Sequence, residues 1–173
     1  MIKSLLWGMF FLLLVVLLQT TVWNVTALWG VKADLVLVLF FFLAVHNTVI
    51  PSTLMGFLIG LSLDFITGGT PGYHAFIFTL AGYILGHWKG KIFFDPLAIP
   101  LLLAGFATFY KAIAGFLLSA LFHLGRTFSD YFNFSFLLAL ILNLVAAPLI
   151  WAVFHAIRQR ALRSRRGGFD VEN

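Results

Sequence analysis

Leu35 to Val45 reads L-V-L-V-L-F-F-F-L-A-V, a run with no polar residue to mark an outer face. A strand of a half-wet sheet or of a lipid-embedded barrel would alternate apolar and polar residues, and this run does not. An amphipathic surface helix would break it every third or fourth residue. What remains is a membrane-spanning helix. The rest of the chain agrees. Of its 173 residues 62% are hydrophobic and 10% charged, 21 are phenylalanine, and the mean hydropathy is +1.04. A single water-soluble core of that size could not hide so much apolar surface. The expected fold class is an all-α, polytopic membrane protein.

Six apolar segments are expected to cross the bilayer. They run from about Ser4 to Trp23, Ala33 to His46, Pro51 to Thr67, Pro71 to Trp88, Leu97 to Phe122, and Phe134 to Ile157. The first follows Lys3 and has no small-x-small cleavage site, so it reads as a retained anchor. The second is short, about 21 Å at 1.5 Å per residue, and is expected to borrow from Val31 or from Asn47 to Ile50. Pro51 suits the first turn of the third, and Gly68-Gly69 should end it. Residues 1–157 then form a transmembrane domain and 158–173 a basic tail.

Charge orients the spans. Lys3, Lys89, Lys91, Arg158, Arg160, Arg163, Arg165 and Arg166 fall on one side, and only Lys32 and Arg126 on the other. The positive-inside rule therefore puts both termini in the cytoplasm. Trp7, Trp88 and Trp151 would anchor the inner edge, and Trp23, Trp29 and Tyr131 the outer. A pI near 9.9 does not point to nucleic acid, because the basic residues sit at membrane edges rather than among stacking aromatics. Lys89, Lys91 and the arginine tail suit anionic lipid or an acidic cytoplasmic partner.

Against this background the intramembrane polar residues stand out. Gly56, Gly60 and Asp64 share one helical face in G-F-L-I-G-L-S-L-D, and Gly82, Gly86 and Gly90 repeat the four-residue spacing. Small residues so spaced let helix backbones approach closely, either within the protein or against a partner's membrane helix. Asp64 and Lys111 lie at about the same depth, roughly 20 Å up their spans, so an ion pair between them is the economical expectation. Asp34 opens the L-V-L-V-L run, where it would cap a helix N-terminus or contact something at an outward-facing site. Asn143 is expected to hydrogen-bond between helices, with Pro148 kinking the same span. There is no cysteine for a disulfide or thiolate site, and the five histidines show no H-E-x-x-H or paired spacing. No catalytic, metal or cofactor site is therefore expected.

Three stretches together resemble the MreD family of bacterial rod shape-determining membrane proteins. They are K-A-D-L-V at Lys32 to Val36, G-F-L-I-G-L-S-L-D at Gly56 to Asp64, and the run from Gly69-Thr70-Pro71-Gly72 to Gly82-Tyr83. Ala33 departs from the proline the family often carries there. The resemblance implies a non-enzymatic scaffold of the cell-elongation machinery in the bacterial inner membrane. It would bind MreC and help couple MreB filaments to RodA and its transpeptidase. It also implies a fold similar to the S components of energy-coupling-factor vitamin transporters. On this reading Asp34, Gly56, Gly60, Asp64 and Lys111 form or support an outer polar pocket near the partner's docking place. An S component binding a small vitamin-like ligand is the alternative. Its usual small-residue face on the first span is lacking here, where Ser4 and Gly8 precede an unbroken L-L-L-V-V-L-L run.

Overall fold

The computed structural model describes residues 12–17, 19, 31, 33–68, 70–90 and 98–166, with the side chains of 154 and 156–166 excepted. It is all-helical. After a helical stretch at 12–17 come α1 (Leu35–His46), α2 (Val49–Thr67), α3 (Tyr73–Gly86), α4 (Ala98–Leu121), the short α5 (Phe128–Tyr131) and α6 (Phe134–Arg166). Among the described residues three stretches are long and apolar enough to cross a membrane: α2, α4 and residues Phe128–Val153. α1 and α3 are apolar but shorter. Most of the first expected span, with Lys3, Trp7 and Trp23, lies outside the described residues, as do Trp29, Lys32 and Lys91.

The apolar run of α1 becomes the hub. Every residue from Val36 to Val45 is buried, and the helix packs against α2, α3, α4 and α6, with Leu12 and Val16 in the same core. Its shortness has a reason. A helix surrounded by protein need not match the bilayer, provided its end groups find partners inside. The expected extensions into Val31 or Asn47 to Ile50 are not made. Asn47 instead leaves the helix in extended conformation while its Nδ2 donates to the Leu43 carbonyl at 2.8 Å. His46 Nδ1 closes on the Phe42 carbonyl at 2.7 Å.

α2 starts two residues before Pro51, which sits in its first turn, and ends on Gly68 in the left-handed region at φ 62°. That conformation suits a residue without Cβ. α6 runs unbroken through Pro148 and on to Arg166, so the boundary expected after Ile157 falls within a helix. Trp151, expected as an interfacial anchor, is instead 8% exposed and meets Phe42 of α1 edge-on at 5.4 Å. It belongs to the core.

Candidate functional site

α2 and α3 are joined by an antiparallel seam of glycines. A Cβ placed on Gly56 would lie 2.2 Å from the Phe78 carbonyl oxygen, and one on Gly60 would lie 2.5 Å from the Ala75 Cα. The contact is reciprocal. A Cβ on Gly82 would lie 2.3 Å from the Ser52 carbonyl oxygen, and one on Gly86 would lie 2.5 Å from the Val49 Cα. All four distances are shorter than any real Cβ contact, so backbone lies on backbone over three turns. Gly56 and Gly60 are therefore covered by this chain's own α3. The face expected as a possible docking surface is filled at these two positions from within.

Asp64 closes the seam at its upper end. It is 5% exposed, yet it reaches across to the first turn of α3. Its Oδ2 accepts from the Gly72 and Ala75 N–H groups at 2.9 and 3.1 Å, and its Oδ1 from the His74 N–H at 2.9 Å. The His74 ring nitrogen Nδ1 lies 2.9 Å from the same Oδ1. A carboxylate can only accept, so Nδ1 carries the hydrogen and Nε2 is left as the ring's other nitrogen. Helix starts leave N–H groups without intrahelical partners, and an apolar medium offers no water to replace them. Asp64 supplies that partner from a neighbouring helix, acting as an N-cap in trans.

The expected Asp64–Lys111 pair is not formed. Lys111 of α4 instead bonds the Oδ2 of Asp34. Equal depth along two helices says nothing of which way each side chain turns. Asp64 faces α3, whose bare N–H groups are closer, while Lys111 faces the start of α1. Asp34 serves both roles open to it: Oδ1 accepts from the Leu37 N–H at 3.1 Å as an N-cap, and Oδ2 takes the lysine.

Around this pair lies a network that, with Asp34 itself, takes up the N–H groups of Asp34, Val36 and Leu37 at the start of α1. Asn143 of α6 accepts from the Asp34 N–H at 2.7 Å and donates to Thr108 Oγ1 of α4 at 2.9 Å. Gln19 accepts from the Val36 N–H at 3.0 Å and donates to the Ala33 carbonyl at 3.2 Å. The expected interhelical bond of Asn143 is thus present twice, and the residue is only 2% exposed.

These groups floor a cavity of about 650 Å³ between the starts of α1, α3 and α6 and the end of α4. Asp34, Lys111, His74, Arg126, Asp130 and Tyr131 all border it. Gly115 of α4 makes room for its wall, since a Cβ there would meet the Tyr73 hydroxyl at 2.5 Å. Of the five candidates for an outer polar pocket, Asp34 and Lys111 line it. Asp64 stands behind His74, and the two glycines lie further down the seam. Sequence reasoning missed Gln19, His74, Thr108, Arg126 and Asp130. Two carried a signal: Gln19 interrupts the apolar first segment, and Thr108 lies one turn before Lys111 on the same face. Among the described residues no cluster of His, Asp or Glu could hold a metal ion.

Lys89 is exposed beyond α3, and the tail arginines 158 to 166 continue the α6 backbone away from the pocket end.

Fold and site together define an integral membrane protein with a buried hub helix and a polar pocket built at one end of its bundle. The chain belongs to the family of the rod shape-determining protein MreD, whose family model matches residues 1–160. That is a family of shape-determining membrane proteins, not a known family of enzymes. No match to a curated protein or to a solved structure reaches significance.

Proposed function

We propose that this chain is a non-enzymatic, multi-pass scaffold of the cell-elongation complex in the bacterial inner membrane. It crosses six times, with both termini in the cytoplasm and the pocket in the outer half, and its fold resembles an S component. It binds MreC and helps couple MreB filaments to RodA and its transpeptidase. The observation that carries the reading is the family match over residues 1–160. The eight-to-two distribution of flanking basic residues supports the orientation. Lys89, Lys91 and the arginine tail then face anionic lipid and the filament.

The partner's membrane helix must lie elsewhere than on the glycine seam. α6 is the open candidate: 17% of the most apolar part of Phe128–Val153 is buried, against 39% and 44% in α2 and α4. Leu137, Ile141, Val145 and Leu149 are spaced by four residues and are each half exposed or more. Photo-crosslinkers at Ile141 and Val145, compared with one at Leu102 on α4, test this in rod-shaped cells. Capture of MreC from the α6 positions is expected. No capture of MreC from any membrane position would sink the scaffold reading. The chain has no cysteine, so a single Cys at position 126 or 89 also reports sidedness by labelling from outside the membrane.

The cavity favours the alternative, a small-molecule-binding S component, more than any sequence feature does. A small organic molecule retained through purification would support it.

A further inference from the structure

The wall of the pocket carries two cations, Lys111 and Arg126, and two carboxylates, Asp34 and Asp130. Formal charge does not decide what such a wall attracts; the direction of its hydrogen bonds does. Both oxygens of Asp34 already accept, one from the Leu37 N–H and one from Lys111. Asp130 turns Oδ2 to the Thr127 N–H and hydroxyl, at 2.7 and 2.9 Å. The amides are committed at both ends as well. Gln19 and Asn143 are held as described above, and Asn133 donates to the Asp130 carbonyl and accepts from the Phe136 N–H.

Asp130 Oδ1 and His74 Nε2 remain as acceptors, and against them the two cations keep most of their donors. Lys111 spends one of its three N–H groups on Asp34, with its side chain 35% exposed. The Arg126 guanidinium has no hydrogen-bond or ion-pair partner among the described residues, and its backbone carbonyl is the group that binds Ser119. A guanidinium without a hydrogen bond among the described residues and a half-open ammonium on the wall of the same cavity suit a tetrahedral oxyanion, although Asp130 also lies within reach of the Arg126 charge. Leu37, Ala112 and Phe136 of the same wall are apolar, which a water-filled ion site would not need.

We propose that this pocket is a receptor for a phosphate oxyanion, gripped by Arg126 and Lys111. In the outer half of a bilayer the abundant source is a lipid headgroup, and a soluble phosphate is the other. The oxyanion site concerns this chain alone and goes beyond the scaffold reading; only the choice of a lipid source rests on the orientation proposed above.

The test uses the full chain in maltoside micelles, which contain no phosphate, titrated with dihexanoyl phosphatidate or with inorganic phosphate. Binding is read by ³¹P NMR and by the shift in melting temperature. Saturable binding of the phosphatidate is expected, weakened about tenfold or more by Arg126→Gln, as loss of charge-assisted hydrogen bonds implies. Arg126 is exposed and its side chain has no hydrogen-bond partner among the described residues, so this variant should melt as the wild type does without ligand. Lys111→Met should weaken binding too, but it also leaves Asp34 without its partner, so Arg126→Gln is the deciding variant. Equal affinity for inorganic phosphate would keep the oxyanion site and assign it to a soluble ligand. Binding of neither probe, or binding that Arg126→Gln leaves unchanged, would overturn the proposal.

Discussion

The α2–α3 seam and the pocket at its upper end both put polar backbone inside an apolar protein, by opposite means. In the seam, side chains are removed. Four glycines bring two helices into backbone contact, and the one buried hydroxyl along it, Ser52, donates to the Ala44 carbonyl of α1. At the pocket, side chains are added. Asp34, Gln19, Thr108 and Asn143 converge on the start of a helix largely enclosed by its neighbours. The seam tolerates no extra atom, whereas the pocket holds about 650 Å³ of space. Rigidity in one place supports a preorganised cavity in the other.

The largest effect should come from filling the seam. Gly60→Leu would drive a side chain into the His74–Ala75 backbone, where even a Cβ lies 2.5 Å away. Overpacking against side chains costs 1–3 kcal/mol, and backbone cannot rotate aside, so a loss above about 4 kcal/mol is expected. Unfolding by SDS titration from mixed micelles would measure it. Gly105→Leu is the control, because its nearest neighbour is a Leu144 methyl at 3.9 Å. Equal losses at both sites would show that the seam is not special.

Asp64 comes next, because it joins the two regions. Asp64→Ala would strip the partner from three N–H groups of α3. Each buried, unpaired donor costs about 1–3 kcal/mol, and local relaxation recovers part, so a loss of about 3 kcal/mol is expected. Asp64→Asn keeps one acceptor oxygen and should lose roughly half as much. Hydrogen exchange at residues 72–75 should accelerate in both variants. Unchanged exchange there would show that the cap is unimportant to the start of α3.

How much of this was legible beforehand follows from what periodicity can carry. The apolar run of α1 announced a membrane helix, though not that the protein itself would wrap it, and the glycine spacing announced a close approach. Both are properties of one segment's own face. The partner of Asp64 was not legible, because it depends on the angle between helices. Depth along a helix is readable as 1.5 Å per residue, but azimuth against a neighbour is a property of the assembled bundle. The same limit hid Arg126 and Asp130, which enter the pocket from a connection with no periodicity at all. Asp34 was half legible: its cap was written in D-L-V-L-V, its lysine was not.

A double-mutant cycle tests that corrected pairing. Asp34→Ala and Lys111→Ala should each cost about 2 kcal/mol, less than a fully buried pair would, since both side chains keep some exposure. Their combination should be distinctly less than additive, because the second change removes a group already left alone. Asp64→Ala with Lys111→Ala should instead add. Additivity in the first cycle and coupling in the second would restore the pairing expected from depth.

The smallest effect lies at the rim, where Asp130 closes a capping box on Thr127. Hydrogen bonds from the Thr127 backbone N–H and then from its hydroxyl hold the Asp130 carboxyl below its ordinary value, with Arg126 nearby contributing last. A depressed folded-state value means the ionised acid is favoured by folding. Its contribution is therefore complete above the ordinary aspartate range, near pH 4, and is lost as pH falls through the lower folded value. Exchange of the Asp130 and Phe132 amides in the short α5 turn should accelerate below about pH 4 and not between pH 5 and 8. Asp130→Asn should bring that faster exchange to neutral pH while leaving exchange in the α2–α3 seam unaltered. If the variant loosened the seam as well, the rim and the glycine contact would be one cooperative unit, and the contrast between the two regions would fail.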